Sequence, residues 1–132
     1  MKRTVLASVM AGLALTAATS GAAAQVTQDN FLLSTTGDLV ALCGAGQNDP
    51  LYTAAVNFCQ GFAVGTYRML EIEEAASRTK RKSVCIDEDP TVTRNSAIAG
   101  FVTWAANKPD VLAARPGDGL TEYLLNAFSC KR

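Results

Sequence analysis

The chain of 132 residues has no histidine. That removes the commonest general base and the commonest nitrogen ligand for metal ions. Its four cysteines, Cys43, Cys59, Cys85 and Cys130, include no close pair. Zinc sites ask for such pairs or for histidines, so no metal is expected. Basic residues are not in surplus either, with 12 Lys+Arg against 12 Asp+Glu, and nucleic-acid recognition calls for a basic stripe. The serines Ser34, Ser77, Ser83, Ser96 and Ser129 stand in no nucleophile-elbow context. There is no phosphate loop or cofactor motif, so no cofactor is expected. Asp87-Glu88-Asp89 is an acidic cluster, but a solvated loop before a helix accounts for it. These absences leave a binding protein rather than an enzyme.

What is present begins with an address. Lys2 and Arg3 precede an apolar run from Val5 to Leu15, and the stretch closes on Gly21-Ala22-Ala23-Ala24. A charged start, an apolar middle and an Ala-x-Ala close are the parts of a secretory signal peptide. The run is short of the ~20 apolar residues that a membrane span needs. Residues 1–24 are therefore expected to be a cleaved signal, without membrane insertion afterwards. Cleavage leaves 132 − 24 = 108 residues, with 12 − 2 = 10 basic and 12 acidic groups, a net charge of −2. That length suits a single modest core.

All four cysteines lie in this mature part, and an even count in a short exported chain reads as two disulfides with three possible pairings. Cys59 falls early in a helical pattern running from Pro50 to about Thr79. Twenty residues of helix carry the chain ~30 Å from Cys59, and six extended residues back towards Cys85 recover only ~20 Å. Bridged Cα atoms must lie within ~7 Å of each other, so Cys59–Cys85 is disfavoured. Of the two remaining arrangements, Cys43–Cys59 with Cys85–Cys130 fits antiparallel neighbours better.

Residues 25–35 are polar and mixed and are expected to be a flexible lead-in. Thr36-Gly37-Asp38 offers a helix start, Leu39, Val40, Leu42 and Cys43 give it an apolar face, and Gly44 ends it. Asp49-Pro50 is a second start. Beyond it Leu51, Ala55, Phe58, Phe62, Gly65, Met69, Ile72 and Ala76 recur at three- and four-residue steps, about seven turns of helical period. Gly61 and Gly65 are expected to let another helix approach closely. A third helix is predicted over Thr91–Asn107, with Val92, Ile98, Phe101, Val102 and Ala105 inward. A short turn follows at Asp110–Ala114. Arg115-Pro-Gly-Asp-Gly119 reads as a breaker before a last helix, Leu120–Ser129, with Leu120, Leu124, Ala127 and Phe128 inward. With no convincing strand alternation, the fold class is all-α: a small bundle of about four to five helices over residues 36–132, stapled by two disulfides. Arg78–Lys82 and Asp87–Asp89 flank Cys85 with opposite charges, as an exposed connection.

Four segments occur in an order that resembles the Rap/Tai-type immunity proteins of bacterial type VI secretion. They are Gly37-Asp38-Leu39-Val40-Ala41-Leu42-Cys43, Cys59-Gln60-Gly61-Phe62-Ala63-Val64-Gly65, Val84-Cys85-Ile86 and Ala127-Phe128-Ser129-Cys130. Trp104 to Pro109 is similar to a fifth segment of that family. Asp87 and Ser129 stand where the family often has proline. The resemblance implies a periplasmic inhibitor, often homodimeric, that binds and blocks a peptidoglycan-cleaving amidase delivered by a neighbouring cell. The candidate contacts with that partner are then Arg78, Lys80, Arg81, Lys82, Asp87, Glu88 and Asp89. The alternative is a periplasmic acid-stress chaperone or general envelope binding protein, for which the carboxylates of Asp87, Glu88 and Asp89 would have to sense acid.

Overall fold

In the computed structural model residues 25–130 are described. The expected signal segment, 1–24, lies outside them, as do residues 131 and 132. The described residues form five α-helices: α1 Thr36–Cys43, α2 Tyr52–Ala76, α3 Arg94–Ala105, α4 Pro109–Ala113 and α5 Pro116–Ala127. Two 3₁₀ helices, Gln28–Leu32 and Ile86–Glu88, complete the regular structure, with an isolated antiparallel bridge between Val84 and Ser129. The all-α expectation holds. Both disulfides form as the spacing argument favoured, with Cα atoms 5.1 Å apart in Cys43–Cys59 and 4.9 Å apart in Cys85–Cys130.

Helix starts follow local chemistry. Thr35 caps α1, and its N–H donates to Asp38 Oδ2 at 2.9 Å while the Asp38 N–H donates back to the Thr35 hydroxyl at 3.3 Å. Thr93 and Ser96 form the same reciprocal cap on α3. At α2 the expectation is shifted. Asp49 Oδ1 accepts from the Leu51 N–H at 2.8 Å in a turn that precedes the helix, and Pro50 lies outside it. The other carboxylate oxygen of Asp49 accepts from the Val26 N–H, also at 2.8 Å. The lead-in packs against the helices: Val26 is buried, and Phe31 meets Phe58 edge to face with ring centroids 5.6 Å apart.

The segment read as a breaker is the first turn of α5. Pro116 sits in the opening turn, where its missing N–H leaves no hydrogen bond unmade. Gly119 is buried, and a Cβ there would collide with Thr36 of α1, so the close approach requires glycine. Thr36 itself is fully buried, and its hydroxyl donates to the Ala114 and Arg115 carbonyls at 3.1 and 3.0 Å. This contact pins the start of α1 onto the α4–α5 junction. A second close approach occurs at Gly100 of α3, which lies under the Tyr123 hydroxyl of α5.

Two apolar clusters result. The larger gathers Leu39, Val84, Phe101, Ala105, Val111, Leu120, Tyr123 and Leu124, and the smaller joins Val26, Leu42, Ala55 and Cys59. Ala127 is exposed, and Tyr123 takes the inward place beside Leu124. Among the described residues no other helix packs closely on Gly61 or Gly65, since a Cβ at either would meet open space.

Candidate partner-binding site

The connection between α2 and α3 is closed at its base by several independent ties. The Cys85 N–H donates to the Phe128 carbonyl at 2.8 Å and the Cys130 N–H to the Ser83 carbonyl at 3.0 Å, across the disulfide that joins the two segments. From α2, the Glu74 carboxylate accepts from the Ser83 N–H at 2.9 Å and from the Ser83 hydroxyl. Residues 77–82 are thus looped out from a fixed base. Within the loop Lys80 adopts a left-handed backbone with φ 48°, and its N–H donates to the Ser77 carbonyl and hydroxyl, both at 3.2 Å. A left-handed lysine is strained relative to glycine, and the turn over Ser77 holds it there.

The seven candidate contacts are all exposed, but the structure gives them different tasks. Lys82 Nζ meets Asp87 Oδ2 at 3.1 Å, and the Tyr67 hydroxyl donates to Asp87 Oδ1 at 3.4 Å. The hydrogen bond from Lys82 holds the Asp87 carboxyl below its ordinary range. Burial, followed by the charges of Asp87 and Glu71, pushes the Tyr67 phenol up to about 12, so it stays a neutral donor. Asp89 Oδ1 accepts from the Thr91 N–H and hydroxyl at 2.9 and 2.6 Å, which lowers its pKa and turns the chain into α3. Lys82, Asp87 and Asp89 therefore organise the connection. Arg78, Lys80, Arg81 and Glu88 form no salt bridge among the described residues, leaving a net cationic tip.

A second surface was not foreseen. An open groove of about 790 Å³ runs between α2 and α5, floored by Phe62, Met69, Leu70 and Leu125. Its polar rim consists of carboxylates and threonines, with no Lys or Arg in the lining among the described residues. The signal for it was present in the sequence, because Phe62, Gly65 and Met69 belong to the long helical period. Sequence reasoning read that period as a helix and drew no binding surface from it.

Among the described residues, no group of three or more His, Cys, Asp or Glu could hold a metal, and no helix is long and apolar enough to cross a membrane. What the fold defines is a disulfide-stapled helical binding domain with a clamped charged loop and an apolar groove. The chain belongs to the Rap1a immunity proteins, whose family model matches residues 35–130, from the cap of α1 to the last cysteine. It is an immunity protein, and its partner is a protein effector. Neither a curated protein nor a solved structure matches the chain.

Proposed function

We propose that residues 1–24 direct this protein to the periplasm, where it binds and inhibits a peptidoglycan-degrading amidase effector. The family match over residues 35–130 is the observation that carries this reading. The two disulfides support an oxidising compartment, since such bonds persist outside the reducing cytosol. The clamped connection is the contact surface, because binding residues concentrate on loops that a rigid scaffold positions. Arg78, Lys80 and Arg81 meet the effector directly, with Glu88 at the edge. Lys82, Asp87 and Asp89 keep the loop in its binding shape, so little ordering entropy is lost on association. The homodimer implied by the resemblance belongs to the same proposal, and sedimentation of the oxidised mature domain tests it.

The central test mixes the oxidised mature domain with a cognate amidase effector and follows peptidoglycan cleavage. Cleavage is expected to stop at stoichiometric ratio. Replacing Arg78, Lys80 and Arg81 together with glutamate should weaken the complex by more than about tenfold while leaving Tm unchanged. If amidase effectors keep full activity in excess of the domain, the proposal fails.

A further inference from the structure

We propose that the groove between α2 and α5 is a second docking site, one that takes an amphipathic helical segment whose apolar face is edged by Lys or Arg. The inference goes beyond the immunity reading and does not rest on the charged connection. Its first support is exposure. Met69 is 55% exposed and Leu125 40%, and Ile72 on the adjoining face of α2 is 59% exposed. Large apolar groups gathered in one concave place, rather than scattered singly, mark binding surfaces.

The second support is charge. Glu73, Asp118 and Glu122 line the groove, and among the described residues no basic one does. Asp118 is met by Arg115 at 2.8 Å, whereas Glu73 and Glu122 form no salt bridge among the described residues. An acidic rim over an apolar floor complements a helix with leucine-like residues on one face and cations along its borders.

The third support is the room left by glycine. Gly65 lies in the middle of α2, where glycine costs about 1 kcal/mol relative to alanine, yet a Cβ there would meet open space. Gly117 lines the same groove from α5 and likewise touches nothing that would exclude a side chain. Among the described residues nothing packs closely enough to require either glycine, and both widen the groove. Along α2 the lining runs from Phe62 to Glu73, about 17 Å at helical rise. That suits an occupant of about three turns.

The test uses the isotopically labelled, oxidised mature domain and two synthetic helical peptides of about four turns. One has leucine on one face and lysine elsewhere, and the other has glutamate in place of lysine. The lysine peptide should shift backbone amide resonances of Phe62–Glu73 and Gly117–Leu125, and bind at least about tenfold more tightly than its glutamate counterpart. Glu73→Lys with Glu122→Lys should reverse that preference. Met69→Asp should weaken binding by about tenfold with the circular dichroism spectrum retained, and Gly65→Trp should do so by filling the space. Equal affinity for the two peptides, perturbations confined to other faces, or no perturbation would each overturn the proposal. So would a self-associated domain that Met69→Asp makes monomeric and that the lysine peptide does not dissociate, because the occupant would then be a second copy.

Discussion

The two halves of α2 carry the same apolar spacing and meet different fates. In the first half Ala55 and Cys59 are 0% and 1% exposed, closed in by α1, the lead-in and the Cys43–Cys59 bridge. In the second half Met69 and Ile72 are more than half exposed, although Tyr67 and Leu70 still pack on the larger cluster. Helical periodicity states that one face is apolar. It does not state whether the cover for that face comes from the same chain. The first half is therefore architecture, and the second half keeps an apolar face available.

Breaking the first half should cost most. Replacing Cys43 and Cys59 together with serine opens a bridge with sequence separation 16, worth about 3 kcal/mol in the loop-entropy model. Urea unfolding should show that loss. Ile72→Ser in the second half should change stability by less than about 0.5 kcal/mol, the usual size of an exposed substitution. Comparable losses for the two would erase the distinction between the halves.

Overfilling is the next largest effect. Ala55 lies in the smaller cluster with Leu42 and Val26 around it, so Ala55→Leu should destabilise by about 1–3 kcal/mol. The reciprocal experiment in the second half has the opposite sign. Gly65→Ala removes a flexible mid-helix residue where a Cβ meets open space, and thermal unfolding should show a gain of up to about 1 kcal/mol. A loss at Gly65 would mean that the glycine serves the fold after all.

Much of this architecture was legible in the sequence, for reasons that can be placed on particular residues. The cap before Asp38 and the Gly44 stop depend on neighbours in sequence, and α1 ends where they imply. The disulfide pairing was legible in two steps: a long helix carries the chain away from Cys59, which disfavoured Cys59–Cys85, and antiparallel neighbours then fitted Cys43–Cys59 with Cys85–Cys130 better than the remaining arrangement. Long-range contacts were not legible. Pro116-Gly117-Asp118-Gly119 looks like a breaker until Thr36 arrives from 79 to 78 residues away to bond the Arg115 and Ala114 carbonyls and to need the space at Gly119. Val26 looked like part of a loose segment until the Asp49 carboxylate captured its N–H. For the candidate site, the charged residues around Cys85 were visible as a run. Asp89 is tied locally by Thr91 and Lys82 by Asp87. The second bond on Asp87 comes from Tyr67, and the base of the loop is tied by Glu74 to Ser83; no local pattern points to those partners.

The smallest effect sharpens the comparison through pH. Asp38 belongs to the cap of α1, the helix that covers the first half of α2; Asp87 lies beside the second half and bonds Tyr67. Both carboxyls sit below their ordinary pKa. Burial opposes ionisation of Asp38, but the Asn30 side chain and the backbone and hydroxyl of Thr35 outweigh it, whereas Asp87 is held down chiefly by Lys82. A lowered folded pKa stabilises the native state above the unfolded value of 3.8, and that contribution is lost as pH falls through the folded value. Urea unfolding in steps from about pH 6 to about pH 2 should therefore show a stability decline that Asp38→Asn makes shallower. A constant offset from the altered cap does not affect that slope. Asp87→Asn should leave the slope as it is, because its bond to Lys82 is solvent-exposed and such pairs add little to folding. If Asp87→Asn flattens the acid limb and Asp38→Asn does not, the connection, rather than the α1 cap, is the part of the molecule whose ionisation the fold depends on.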